Sequence, residues 1–178
     1  MEAKSQAYSL LFKVISMHTT FTHLKAHVDE RVEFGKSVKA DRLSSILLPI
    51  ANLPSPIEFA PAEMAMLLSL KDDDVFNSLA SLDKIHNSII PVWVMYEAKR
   101  SAIPSHGEDH AFDASEGKGE FSVKRGSHLE AMIFEVEGIA RELVRRAEID
   151  LKEAEAALGR LTPLLNDRLQ LGVNVQPK

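Results

Sequence analysis

The sequence predicts an all-α domain, an antiparallel bundle of three long helices with one or two short helices added. Three observations carry this expectation. Apolar residues recur every third or fourth position through most of the chain, no stretch of useful length alternates with the period of a strand, and glycine and proline gather in two regions between the periodic segments. The 178 residues suit one domain, 1–178, with a sizeable core, and an apolar fraction of 45% against 26% charged residues excludes wholesale disorder.

The first helix is expected over Glu2 to Phe34. Leu10, Val14, Met17, Phe21, Leu24, Val28 and Val32 follow one another at steps of three or four, the stripe of a helix facing a neighbour. Tyr8, Leu11 and Ile15 widen that stripe near its start, and Gly35 reads as the stop. Asp41 is placed to cap a short helix through Leu48, after which Pro49, Pro54 and Pro56 forbid helix and favour extended backbone. The expected result is an apolar, proline-rich connector from Leu48 to Phe59 lying across the bundle.

Pro61 suits the first position of a further short helix, through about Leu70. Asp72, Asp73 and Asp74 then mark a helix start, where free N–H groups and the dipole attract carboxylates. Phe76, Leu79, Leu82, His86, Ile89, Trp93 and Tyr96 keep helical spacing to about Ile103, with Pro91 as an expected kink. Residues 104–126 hold four of the eight glycines and read as a long flexible linker. Ser127 and Glu130 form a capping-box pattern for the last helix. Its stripe runs Leu129, Ile133, Val136, Ala140, Leu143, Ala147, Leu151, Ala154, Leu158, Leu161, Leu165. From His128 to about Leu169 it would be about 60 Å long, with a bend expected at Thr162-Pro163 and a frayed tail over 173–178.

Composition narrows function mainly by exclusion. The absence of cysteine removes disulfides, thiolate metal sites and cysteine nucleophiles. With 21 basic against 26 acidic residues, net −5, nucleic acid is not the expected partner, since phosphate binding needs a basic surface. The longest uncharged run, Leu43 to Ile57, has 15 residues broken by three prolines and cannot span a bilayer. A cytoplasmic location is the simplest expectation. Because helical pattern begins almost at Met1, a membrane anchor upstream is the alternative, with the basic residues of the Lys36–Arg42 and Arg141–Arg146 stretches near lipid headgroups.

No elbow for a nucleophilic serine, no phosphate-binding loop and no dinucleotide fingerprint occurs; Gly117-Lys118-Gly119 is neither of the last two. No enzymatic activity and no cofactor is therefore expected. His23 and His27 stand four apart with Glu30 one turn on, a spacing that can offer donors to one metal ion, yet they flank the apolar stripe and the Glu-x-x-His of di-metal bundles is absent. A denser group of donors, His106, Glu108, Asp109, His110 and Asp113, lies in the linker. His86 occupies an apolar-stripe position, and with Trp93 and Tyr96 it would line a ligand groove beside the Pro91 kink.

The leading expectation is a non-enzymatic interaction or scaffolding module, self-associating or binding another helical protein. The last helix outruns its neighbours, so Leu151, Leu158, Leu161 and Leu165 are the candidate interface. The alternatives are a small-molecule bundle using His86, Trp93 and Tyr96 and a metal-binding bundle using His23, His27 and Glu30.

Overall fold

A computed structural model describes residues 2–103 and 127–175 of the chain. The linker expected over 104–126, with its histidines and carboxylates, and the last three residues lie outside the described residues. Within them every regular element is a helix: α1 (Glu2–Ser37), α2 (Leu43–Ile46), α3 (Pro61–Ser69), α4 (Asp73–Ala102) and α5 (His128–Leu169). No helix among the described residues is long and apolar enough to cross a membrane.

Each long helix forms where its stripe predicts. Leu10, Val14, Met17, Phe21, Leu24 and Val28 of α1 are all buried, as are Leu79, Leu82, His86, Ile89, Trp93 and Tyr96 of α4. Asp72 caps α4 by accepting from the Val75 N–H at 3.0 Å, and Ser127 caps α5 by accepting from Glu130 N–H at 3.1 Å. Gly35 is not the stop that was expected. Helix α1 continues to Ser37 and is closed by Lys39 in the left-handed region (φ 53°), while the buried Gly35 lets α2 approach: a Cβ there would run into Ile46 Cδ1. Nor does Asp41 cap a helix through Leu48. α2 has four residues, and its exposed N–H groups are met from a distance, as described below.

Helix α5 runs unbroken past Pro163, with Thr162 Oγ1 donating to Leu158 O at 3.0 Å, and ends on left-handed Gln170. The tail then folds back. The Asn166 side chain donates to Val173 O (2.6 Å) and accepts from Val173 N (3.0 Å), so the fraying expected from Val173 onward does not begin there.

The contacts between helices set direction. Lys4 Nζ donates to Gln170 O, Tyr8 OH donates to Leu171 O and Lys25 pairs with Glu148, so α1 is antiparallel to α5. Arg146 donates to Ser88 and Lys99 pairs with Glu135, so α4 is antiparallel to α5 as well. It follows that α1 and α4 are parallel, and the ring pairs Phe21–His86 and His27–Trp93 rise along both together. The chain between them must return the full length of the bundle. Ser44 lies beside Arg100, Leu48 beside His27, Ile57 beside Asn87 and Glu63 beside Ser9. The bundle is thus up-down-up-down, with an irregular strap and two short helices in the place of a second long helix.

Candidate functional site

Two carboxylates that the apolar stripes do not announce hold the returning strap at its ends. Glu137 of α5 accepts from the N–H groups of Leu43 (3.3 Å) and Ser44 (2.9 Å) and from Arg141 Nε (3.0 Å), supplying the cap that α2 lacks locally. Burial alone would raise its pKa, but these donors hold it below the usual carboxylate range. Glu63 of α3 is buried likewise and accepts from Ser9 Oγ (2.6 Å), Lys13 Nζ (2.8 Å) and Ala60 N (2.7 Å); the same balance, donors outweighing burial, lowers its pKa.

Between those ends the strap meets the residues from which a ligand groove was expected. His86 is fully buried, its ring edge-on to Phe21 at 5.7 Å, and His27, Trp93 and Tyr96 form a second edge-to-face series at 5.9 and 6.0 Å. Tyr96 OH donates to Leu47 O at 2.6 Å, and burial pushes its pKa up to about 12. Asn87, the side chain next to His86, pairs with the strap at two points, accepting from Ile57 N (3.0 Å) and donating to Ile57 O (2.8 Å). His86 Nδ1 lies 3.1 Å from the same Asn87 oxygen, while its Nε2 is buried without a partner. Burial lowers the His86 pKa against the opposing effects of Asn87 and Asp83. His86, Trp93 and Tyr96 are therefore packed core under the chain's own strap and do not line an open ligand groove.

The metal set fares no better. His23 and Glu30 are exposed, and His27 Nε2 is 2.9 Å from Leu48 O, engaged with the strap. Among the described residues no group of three or more His, Asp or Glu side chains is gathered to hold a metal ion. His23 instead borders a cleft of ≈ 230 Å³ with Thr19, Thr20, Leu24 and the strap turn Ile50–Pro54.

Nor is the leucine seam a free surface. Leu158, Leu161 and Leu165 are at most 1% exposed and belong to the core, and Leu151 is half-buried at its edge. The seam does not outrun its partners because α1 and α4 cover it from two sides. Asp150, not Leu151, is the buried neighbour in that stretch; burial raises its pKa, opposed by Arg146 at 3.1 Å. The reason is geometric, since a helix of 3.6 residues per turn drifts off a strict 3.5 repeat.

Among the described residues, what is left uncovered is the outer face of α4. From Ile89 to Tyr96 eight consecutive residues are apolar, and the bundle buries only part of them. Ile89, Ile90, Trp93 and Tyr96 face the core, whereas Pro91 is exposed, Val94 is 54% exposed and Met95 42%. Ser88 and Ala98 extend the exposed stripe one turn each way without a charge. Phe134, at 80% the most exposed large apolar side chain described, stands next to Glu135, whose ion pair with Lys99 places it at the same end of α4. The stripe carries neither a titratable group nor a free nucleophile, since the Ser88 hydroxyl donates to Ile85 O. What it can do is pack.

A second concavity, ≈ 890 Å³ and open, lies at the opposite end of α4 between Asp72–Val75 and the Gly159–Arg168 stretch of α5. Sequence reading missed the α4 stripe because it followed only the buried side of each helix; the unbroken apolar run was the available signal. Glu63, Glu137 and Asn87 gave none, since their partners lie 30 or more residues away in most cases. No protein-family model matches the chain, and neither a curated protein nor a solved structure matches it.

Proposed function

We propose that the protein is a non-enzymatic interaction module that associates with a second copy of itself through the outer face of α4. The observation that supports this reading is the two-sidedness of Ile89–Tyr96. A helix segment apolar all round is normally buried all round, and here one side has no covering element among the described residues. The stripe's own residues are uncharged, bordered by Arg146 at Ser88 and by the exposed Glu97, and Val94 and Met95 lie between the smaller Ser88, Pro91 and Ala98. Two such faces, antiparallel about a twofold axis near Met95, would set Val94 of one copy against Met95 of the other and Pro91 against Ala98, so that the same patch serves both copies, as an isologous interface requires.

Sedimentation of the purified chain tests the proposal. The unsubstituted protein should be dimeric, and the double substitution Val94→Glu/Met95→Glu should give a monomer with unchanged helical circular dichroism. A chain that stays monomeric at the highest attainable concentration removes the reading.

A further inference from the structure

The strap that fills the bundle has the construction of a bound ligand, and this observation is independent of the α4 face. Between Leu48 and Ala60 no residue is fully buried, although Ile46 and Leu47 before it and Glu63, Met66 and Leu67 after it are. Beyond the turn at Ala51-Asn52, residues 48–59 make no backbone–backbone hydrogen bond among the described residues. They are held by side chains that read only main chain: His27 Nε2 on Leu48 O, and the Asn87 carboxamide on both Ile57 N and Ile57 O. Pro49, Pro54 and Pro56 forbid helix, the chain turns once at Ala51-Asn52 with Asn52 in the left-handed region (φ 61°), and Ile50, Leu53, Ile57 and Phe59 pack half-buried against the core. The fit is incomplete, for the ≈ 230 Å³ cleft separates Ile50–Pro54 from Thr19, His23 and Leu24.

A clasp that recognises backbone, with aromatic and aliphatic floor residues beneath, does not require the sequence it happens to hold. We infer that the groove between α1 and α4 is a peptide-binding groove, occupied at rest by residues 48–60, and that an extended, proline-containing apolar segment of a partner protein can displace them. The strap itself defines the ligand chemistry: backbone N–H and C=O offered to Asn87, a carbonyl offered to His27, and aliphatic or aromatic side chains spaced by prolines.

The chain has no cysteine, so single thiols can report opening in the native state. Leu24→Cys places one beneath the strap and Leu143→Cys places one in the core of α5. Labelling at Leu24→Cys should be roughly 100-fold faster than at Leu143→Cys and insensitive to low urea, as local opening requires. A synthetic peptide of residues 48–60 should slow that labelling and shift the emission of Trp93, with a larger response in Ile57→Ser, where the resident strap loses an anchoring side chain and the groove is unchanged. Acrylamide quenching of Trp93 in the unsubstituted chain, at urea concentrations well below unfolding, gives a readout that depends on no variant. Equal labelling rates with equal urea dependence would show that the strap leaves only on global unfolding and would overturn the inference. So would a peptide that changes neither labelling nor emission even in Ile57→Ser. Neither outcome touches the dimer reading, which the Val94 and Met95 substitutions test separately.

Discussion

Side chains that combine burial with polarity decide how this molecule responds to acid. His86 is held neutral by burial, with a folded-state pKa below 6.5. Above that value folded and unfolded chains are both neutral at this site, and it contributes no pH dependence. As pH falls below 6.5 the unfolded chain takes up the proton first, so stability drops until the folded-state pKa is passed. Urea unfolding at pH 7.5 and 5.5 should show this loss, and His86→Leu should reduce it; equal slopes in both proteins would remove His86 as the cause. Glu63 and Glu137 act in a lower window, because both carboxyls sit below their ordinary 4.5: their stabilisation is present above 4.5 and is lost as pH falls through their folded values. Asp150, raised by burial, works the other way and favours the fold in acid. Glu63→Ala leaves Ser9, Lys13 and the Ala60 N–H without their acceptor, and a cost of about 2 kcal/mol in chemical denaturation is expected, Lys13 being partly solvated. His86 could be picked out as unusual from its stripe position alone. Its neighbour's pairing with Ile57 could not, because that contact joins residues 30 apart.

For the helices, the distinction that matters is which side of each is covered. Leu158 and Leu161 lie inside α5's contact with its neighbours, so Leu158→Asp should unfold the protein, at a cost of more than about 4 kcal/mol, and not merely dissociate it. Val94→Glu, on the outer face of α4, should change monomer stability by less than about 0.5 kcal/mol. Thermal melts followed by circular dichroism separate the two; a folded Leu158→Asp monomer would contradict the packing described. Gly35 gives a subtler case. Alanine would gain about 1 kcal/mol of helix propensity, yet its methyl would displace Ile46 and the α2 contact, and a net destabilisation of about 1 kcal/mol is expected. The long helices were readable from periodicity because each contributes one continuous apolar stripe. α2 was misread because its cap comes from Glu137, more than ninety residues onward.

At the scale of the whole molecule the unusual feature is the second member of the bundle. Parallel α1 and α4 require a return path as long as a helix, and three prolines prevent that path from being one. Some of the main-chain groups that a helix would satisfy internally are met instead by His27, Asn87, Tyr96 and Arg100. A dimer formed on the α4 face would couple folding to concentration: the melting temperature of the unsubstituted chain should rise with protein concentration, and that of Val94→Glu/Met95→Glu should not. Concentration-independent melting of both proteins would count against self-association.

The sequence by itself determined the all-α class, the three long helices, their capped starts at Asp72 and Ser127, and most of the core. These depend on contacts within three or four residues, and such contacts leave a period in the chain. Tertiary structure alone decided that α1 and α4 run parallel, that the strap fills the groove between them, and that Leu158, Leu161 and Leu165 are interior while Val94 and Met95 are not. Those outcomes depend on which apolar side finds cover first, and a helix carrying two apolar sides does not encode the choice in its own spacing.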